Sequence, residues 1–163
     1  QLSAPSVLCL SRQAVPTFRE VVDETNLVAF GAYVVVEPEA GRDVTLIATG
    51  SEVSIALEAA RLLEKDNVRA AVVSAPCFDL FRQQSREYRT AVLGRVPRVG
   101  IEAAVEGDWA RWLGDRGEFV GMTGFGASAP AETLYREFGV TPEAVATAAM
   151  RCLARTRMTA TYA

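Results

Sequence analysis

Small residues that follow short apolar runs are the first candidates for ligand-binding chemistry in this sequence. Gly124, Gly126 and Ala129 form a GxGxxA pattern after a segment of strand character, as in loops that bind the pyrophosphate of a dinucleotide. That fingerprint also needs a second strand that ends in an acid about 20 residues further on. Because the sequence continues into another helical segment instead, we interpret the pattern as a tight strand-to-helix turn. Gly50 and Ser51 form a similar turn, in which Ser51 is favoured as an ordinary helix N-cap over an anion site.

Arg12 is the residue whose chemistry is most suggestive of a substrate. It follows a strand-like run over residues 6–11, so its guanidinium group is expected at the carboxyl end of a strand. A rigid guanidinium group of constant charge can bind a phosphate through two parallel hydrogen bonds. Chemistry alone favours a solvated or salt-bridged arginine here, with phosphate binding as the alternative.

Two acids and two tryptophans are the remaining candidates. Glu102 and Glu106 come at the carboxyl end of a predicted strand, where ligands often bind in open α/β sheets. No partner base or set of metal ligands accompanies them, so we expect solvated or ion-paired acids. Trp109 and Trp112 are one helical turn apart and share a face, which could stack on a ligand or join the core. We expect that face to form a subunit interface.

The composition excludes several classes of reaction. The chain contains no histidine, so it forms neither a Ser-His-Asp triad, nor a Cys-His pair, nor a HExxH zinc site. Lys65 is the only lysine among 17 basic residues and lies in a helical segment, so no Walker-type phosphate loop occurs. The three cysteines are far apart and form no CxxC pair, which predicts neither a disulfide framework nor a metal site.

Charge and hydropathy argue against nucleic acid and membranes as partners. The net charge is −3 and the acids and arginines are interspersed, so no basic face stands out. No apolar run reaches the roughly 18 residues of a membrane span, and the first residues lack the basic-then-apolar order of a signal peptide. We therefore predict a soluble cytoplasmic protein with reduced thiols.

The pattern of apolar residues predicts an α/β fold. Short runs rich in valine and isoleucine alternate with longer segments of helical spacing, as in βαβ units around a mostly parallel sheet. Five strands are predicted, over residues 32–36, 44–48, 69–74, 98–102 and 118–122. Helices are predicted after Ser51 and over residues 79–93, 107–113 and 142–153.

The two ends of the chain are predicted to lie outside this domain. A lone strand in residues 1–13 would leave its hydrogen-bonding ladder unpaired, so we assign it to the end of a preceding domain. Residues 14–30 form a polar linker, and residues 31–153 form the α/β domain. The tail over residues 154–163 has no periodicity and is expected to be disordered.

Four strings in this sequence resemble the C-terminal part of the transketolase family, in the family's order. They are LSRQ (residues 10–13), GAYVV (31–35), IATGSEV (47–53) and GFGASAPAETLYREFGVT (124–141). The helix after Pro76 and the segment VGIEA (99–103) are similar as well, so the resemblance covers almost all of residues 5–153. Deoxyxylulose phosphate synthases and pyruvate dehydrogenase beta subunits share the order of elements but not these strings together.

This resemblance implies a three-layer α/β/α domain with a five-stranded, mostly parallel sheet. It implies part of a homodimeric enzyme that transfers a two-carbon ketol unit between phosphorylated sugars, with thiamine diphosphate and a divalent metal such as Mg²⁺. In the family, the cofactor lies between earlier domains of two subunits, so no catalytic, cofactor or metal residue is expected in this chain. Residues 1–13 then end the pyrimidine-binding domain. Arg12 occupies the position of the family arginine that contacts the phosphate of the sugar substrate.

Two hypotheses of different classes follow. In the first, the chain belongs to a transketolase, its partners are the preceding thiamine-binding domains, and the isolated domain is structural, supports the dimer and is inactive. The alternative is a free-standing α/β small-molecule-binding or regulatory module, with its ligand at the Gly50 or Gly124 turn.

Overall fold

Five short apolar runs form the five strands of one sheet. The strands are β1 (Tyr33–Val36), β2 (Val44–Ala48), β3 (Ala70–Ser74), β4 (Arg98–Val105) and β5 (Glu118–Met122). They lie in the order β1, β3, β2, β4, β5 in the computed structural model, which describes residues 5, 7–11, 13–19 and 25–161. β1 is antiparallel to β3, and the other neighbouring strands are parallel. The predicted five-stranded, mostly parallel sheet is therefore confirmed.

Helices cover both faces of this sheet. The described residues form α1 (Glu52–Lys65), α2 (Phe78–Arg82), α3 (Arg86–Leu93), α4 (Ala110–Leu113), α5 (Ala131–Glu137) and α6 (Pro142–Thr161), with 3₁₀ helices at Leu27–Phe30 and Gly107–Trp109. α1 and α6 pack against one face and bury one apolar cluster with the strands. α2, α3 and α4 bury a second cluster against the other face. The result is the three-layer α/β/α arrangement that the resemblance implied.

The central strand shows why the sequence reads as a continuous apolar run. Every residue of β2 is buried. Leu46 and Ala48 face the cluster under α1 and α6, whereas Ile47 faces the cluster under α2 to α4. Because successive side chains of a strand point to opposite faces, a strand covered on both sides is apolar at nearly every position.

The two tryptophans belong to the core of this chain. Trp109 is 4% exposed and Trp112 is 7% exposed, and Phe78 lies edge-on to the first and stacks on the second, with both pairs of ring centroids 5.0 Å apart. Gly100 on β4 makes room for this packing, because a Cβ there would lie 2.6 Å from Cε3 of Trp109. The prediction that these tryptophans form a subunit interface is wrong, since α2 and β4 of the same chain cover them.

The segment predicted as one helix over residues 79–93 is two helices. α2 ends at Arg82 and α3 begins at Arg86. Between them, the side chain of Ser85 accepts a hydrogen bond from the backbone N–H of Tyr88 at 3.1 Å, which is the contact of an N-cap. The cap starts a new helix although the apolar pattern runs through the break.

The last helix is longer than predicted. α6 ends at Thr161 rather than at residue 153, so the expectation of a disordered tail is wrong for residues 154–161. Arg151 and Arg155 both form ion pairs with Glu118 at the start of β5, at 2.6 Å and 2.8 Å. The ion pair of Arg155 connects the additional part of the helix to β5. Burial acts to raise the pKa of Glu118, but the two arginines outweigh it, and the pKa lies below its ordinary value.

The described part of the first segment contains no strand. Residues 7–11 form no regular structure, and Val7, Leu8 and Leu10 are 87%, 80% and 82% exposed. A strand is not stable without a neighbour for its ladder, so the strand predicted over residues 6–11 is not formed in its described part, residues 7–11. Its assignment to another domain and the other domain boundaries stay predictions. No helix among the described residues is long and apolar enough to cross a membrane.

Candidate functional site

Polar side chains gather where β2 and β4 end. Thr49 and Ser51 follow β2, and Glu52 is the first residue of α1. Glu102 lies within β4, directly after Ile101, which pairs with the last residue of β2, Ala48. Because parallel strands end at the same edge, these groups share the carboxyl edge of the sheet, where open α/β folds bind their ligands. This edge is therefore where a ligand-binding or catalytic site is expected.

A partly buried, hydrogen-bonded trio of Ser51, Glu52 and Tyr135 lies at the start of α1. Glu52 is only 7% exposed, and its Oε1 accepts a hydrogen bond of 2.8 Å from the hydroxyl of Tyr135 on α5. The Tyr135 oxygen also lies 3.0 Å from Oγ of Ser51. The single tyrosine proton is donated to the carboxylate, which can only accept, so Ser51 donates to Tyr135. Nε2 of Gln13 is a further donor to the same oxygen, at 3.4 Å.

The hydrogen bonds of this trio join the start of α1 to α5, and they do not create a general base. Burial raises the pKa of Tyr135, and the adjacent Glu52 carboxylate adds to that effect, while the hydrogen bond from Ser51 opposes it. Tyr135 therefore remains a neutral donor at physiological pH. The hydroxyl of Ser51 turns to Tyr135 and makes no N-cap hydrogen bond, so the interpretation of Ser51 as an ordinary N-cap is right in position only.

Glu102 is the second carboxylate at this edge, and both of its oxygens are occupied. Oε1 accepts from the hydroxyl of Thr49 at 2.9 Å, and Oε2 accepts from the indole N–H of Trp109 at 2.8 Å. The expectation of a solvated or ion-paired Glu102 is wrong, because two neutral donors from the same chain hold it. Glu106, the other acid of the predicted pair, is exposed. The two acids therefore occupy different environments and do not form a catalytic pair.

A cleft of about 610 Å³ opens beside the trio. Its walls come from Gln13, the ends of β4 and β5, the loop before α5, and α5 itself. The lining residues are Gln13, Ala103, Met122, Gly126, Ala127, Ala129, Ala131, Leu134, Tyr135, Phe138 and Val140. None of them is charged, so the cleft does not suit a phosphate group.

The GxGxxA segment is a loop and not a nucleotide-binding turn. β5 ends at Met122 and α5 begins at Ala131, so eight residues separate strand and helix, and the predicted tight turn is wrong. A Cβ on Gly124 would meet nothing within 4 Å, and Phe125 is fully exposed. The backbone therefore does not require glycine at this position, as the fingerprint would. By contrast, Gly50 has a φ of +46°, which favours glycine.

Arg12 lies outside the described residues, so its predicted phosphate contact stays a prediction. Its neighbour Gln13 reaches the carboxyl edge through Tyr135. Within the described ranges, no group of three or more histidine, cysteine, aspartate or glutamate residues could hold a metal ion. These described residues therefore do not fit the metal of a thiamine diphosphate enzyme.

The contact of Glu52 with Tyr135 was not predicted from the sequence. The two residues are 83 positions apart, and no local pattern connects them. One signal was present, since an acid in the first turn of a helix is a common partner for the helix dipole. That signal explains Glu52 but does not identify its hydroxyl donor.

Replacing Tyr135 by phenylalanine should destabilise the domain by about 1–2 kcal/mol, since the buried Glu52 carboxylate loses its short hydrogen bond. Urea unfolding of the two proteins, followed by circular dichroism, measures this difference. Tyr33→Phe is the matched control, because the Tyr33 hydroxyl makes no hydrogen bond among the described residues; its effect should stay below about 0.5 kcal/mol. Equal losses for the two variants would contradict the locking role.

Taken together, the sheet order, the helices on both faces and the carboxyl-edge contacts define a three-layer α/β/α domain whose polar groups mainly hold its own elements in place. Comparison with known proteins agrees with this assignment. The family model described as "Transketolase-like TK C-terminal domain" matches residues 31–141. The chain belongs to the transketolase family.

Its relatives include proteins of closely similar sequence. It is 56% identical over 143 residues to a transketolase of Cereibacter sphaeroides, and 53% identical over 154 residues to one of Sinorhizobium medicae. These alignments cover 88% and 94% of this chain but 22% of each relative. The chain thus spans about a fifth of the length of the curated relatives that it matches.

Solved structures show the same fold. A transketolase from Leishmania mexicana superposes with a TM-score of 0.72 at 43% identity, over 78% of this chain and 18% of that chain. A transketolase from Pichia stipitis, described as a complex with sedoheptulose 7-phosphate, gives a TM-score of 0.72 at 35% identity. That superposition covers 79% of this chain and 19% of that chain. The resemblance to the C-terminal part of the family is confirmed.

Proposed function

We propose that this chain acts as the C-terminal portion of a homodimeric, cytoplasmic transketolase. The intact enzyme would transfer a two-carbon ketol unit between phosphorylated sugars with thiamine diphosphate and Mg²⁺, and this domain would support the dimer. The observation that carries the proposal is the collinear match to the C-terminal domain, in a chain covering 22% of relatives that are named transketolases. The cofactor and the bonds that change would be handled by preceding domains.

The chemistry of the described residues supports a structural role. The buried Glu52 carboxylate and Glu102 are both held by donors from the same chain. The cleft next to Tyr135 has no charged lining residue that could hold a phosphorylated sugar. These groups stabilise the carboxyl edge of the sheet, and none is positioned as an acid, base or nucleophile.

The first segment supports a contact with another domain. Val7, Leu8 and Leu10 are apolar and more than three quarters exposed, which is costly for side chains of this type in water. We infer that they pack in the pyrimidine-binding domain of the intact enzyme. Gln13 contacts the carboxyl edge of this domain through a hydrogen bond of 3.4 Å to the Tyr135 hydroxyl.

Arg12, which lies between Leu10 and Gln13, is the residue through which the chain would reach the substrate. A guanidinium group suits the phosphate of a sugar substrate because it is always charged and offers two parallel donors. The Pichia stipitis structure described with sedoheptulose 7-phosphate makes a phosphorylated sugar the ligand to test. Arg12 would bind and orient this phosphate, whereas the ketol transfer itself would take place on other residues.

The purified 163-residue chain should show no ketol transfer when thiamine diphosphate, Mg²⁺, xylulose 5-phosphate and ribose 5-phosphate are supplied. The assay couples the triose phosphate product to oxidation of a reduced nicotinamide and includes the full-length enzyme as the positive control. Circular dichroism and a cooperative urea transition show that the chain is folded under the assay conditions. Turnover by the folded chain alone would overturn the assignment of the chemistry to other domains.

A free-standing binding module would behave differently. Its ligand, a nucleotide or a sugar phosphate at the Gly50 or Gly124 turn, would raise the melting temperature of the chain, since a ligand that binds the native state stabilises it. Substitution at those turns would abolish the shift. In a transketolase portion, we expect no ligand at the Gly50 turn or the Gly124 loop, so these ligands should leave the melting temperature unchanged.

A further inference from the structure

The amino edge of the sheet, opposite the carboxyl-edge trio, holds a pocket with positive walls. The loop before β4 and the loop before β5 lie side by side there, because the two parallel strands begin at the same edge. A depression of about 460 Å³ between them is lined by Arg95, Arg98, Arg116 and Asp115, among other residues. We call this depression the amino-edge pocket.

Arg98 is fixed at the base of this pocket without an acidic partner. Nη1 donates to the carbonyl oxygen of Trp112 and Nη2 to that of Gly94, each at 2.8 Å. The buried Nε of the same side chain has no acceptor within the described part of the chain. No carboxylate among the described residues lies within ion-pair distance of this guanidinium group.

Other arginines at this edge are neutralised, which makes the contrast informative. Arg42 forms an ion pair with Glu37, and Arg69 forms one with Asp43 at 2.7 Å. Arg95 and Arg116, like Arg98, form no ion pair in the described ranges.

The position of Arg98 is electrostatically unfavourable for a cation. Burial, together with the nearby positive charge of Arg116, lowers the pKa of Arg98 below its ordinary value. The walls of the pocket carry three positive charges and one negative charge, in a chain whose net charge is −3. An anion between these guanidinium groups would relieve their mutual repulsion.

The shape and the donors of the pocket specify which anion fits. Guanidinium groups bind phosphate through paired, charge-assisted hydrogen bonds, and a volume of this size suits a small molecule. Asp115 would repel a bare anion, but it can accept a hydrogen bond from a hydroxyl group. A small hydroxylated molecule that carries a phosphate suits both the arginines and Asp115. Its phosphate would face the arginines, and a hydroxyl group would face Asp115.

We propose that the amino-edge pocket binds a phosphate group, either as inorganic phosphate or as the monoester of a small hydroxylated molecule. Arg98 supplies the fixed charge at the base. Arg95 and Arg116 approach the phosphate from the two loops. The proposal concerns this chain's own residues and does not depend on the transketolase reaction.

The test uses isothermal titration of the full 163-residue chain with inorganic phosphate, glycerol 3-phosphate and glycerol, at constant ionic strength. Saturable binding of the two phosphates, and none of glycerol, is expected. The double variant Arg95→Gln/Arg116→Gln should weaken phosphate binding by about tenfold or more, because it leaves the Arg98 contacts intact but removes two charges. Arg61→Gln/Arg86→Gln removes the same charge from exposed helical positions and is the matched control. Arg12→Gln excludes binding at the other candidate phosphate residue.

The titrations also distinguish inorganic phosphate from a phosphate monoester as the ligand. Tighter binding of glycerol 3-phosphate, lost in Asp115→Asn while inorganic phosphate still binds, assigns the pocket to a hydroxylated monoester. Equal binding of the two ligands assigns it to free phosphate. Absence of saturable binding, equal weakening by both double variants, or loss of binding only in Arg12→Gln would overturn the proposal.

Discussion

Gly31→Ala should destabilise the domain more than any other single methyl addition at a glycine of positive φ. Gly31 follows the 3₁₀ helix Leu27–Phe30 and has a φ of +82°, where glycine is favoured. A Cβ there would overlap the backbone nitrogen of Phe81 and the carbonyl oxygen of Cys77, and would lie 2.8 Å from the carbonyl carbon of Leu80. These are backbone atoms of α2 and its approach, so they cannot yield as a flexible side chain could. We expect a loss of about 3–5 kcal/mol, or failure to fold.

Gly41→Ala is the control that separates the clash from the cost of the backbone angle. Gly41 has a φ of +80°, almost the same as Gly31, but a Cβ there would meet nothing within 4 Å. The angle alone should cost about 1–2 kcal/mol. Urea unfolding of both variants measures the difference in the free energy of unfolding. If Gly31→Ala does not fold, the yields of folded protein from the two variants are compared instead. Similar losses for both variants would show that the contact with α2 carries no energy of its own.

Much of this fold could be predicted because its central strands are covered on both faces. The run over residues 44–48 is apolar apart from Thr45, all of its residues are buried, and its predicted bounds are the observed ones. The start of α6 was equally local, since the Thr141 hydroxyl accepts from the N–H of Ala144 at 3.3 Å, as a cap does. Signals carried by neighbouring residues were therefore sufficient for the bounds of β2 and for the start of this helix.

Features decided by distant residues could not be predicted in this way. In the extension of α6, Arg155 forms an ion pair with Glu118, which lies more than 30 positions earlier. The shared face of Trp109 and Trp112 indicates burial but does not say whether the covering surface belongs to the same chain. The phosphate contact predicted for Arg12 came from family resemblance and not from residue chemistry, which favoured an ordinary surface arginine.

In the candidate site too, local features could be predicted from the sequence and contacts between distant residues could not. Glycine at position 50 was expected at a turn, and its positive φ agrees with that. The occupied oxygens of Glu102 could not be foreseen, because Thr49 and Trp109 reach it from two different segments. A sequence can show that an acid lies at the end of a strand, but its protonation and its availability depend on donors that only the folded chain brings close.

Arg12→Ala in the full-length enzyme should lower kcat/KM for a phosphorylated ketose donor by about 10- to 100-fold, mainly through a higher KM. The estimate corresponds to the loss of charge-assisted hydrogen bonds to a phosphate, about 1.5–3 kcal/mol. An unphosphorylated ketose offers no group to this guanidinium, so its kcat/KM should change little. Steady-state kinetics with the two donors, on wild-type and variant enzyme loaded equally with thiamine diphosphate and Mg²⁺, measures the discrimination.

Two further variants make the Arg12 experiment specific. Arg12→Lys keeps the charge but loses the planar pair of donors, so it should recover part of the lost affinity. Arg86→Ala removes an exposed arginine of α3 and should leave both donors unchanged. Equal losses for phosphorylated and unphosphorylated donors would show that Arg12 acts through folding or cofactor binding. Phosphate recognition requires a loss that is confined to phosphorylated donors and is partly restored by lysine. The reason is that the phosphate is the group by which the two donors differ and with which this side chain would form charged hydrogen bonds.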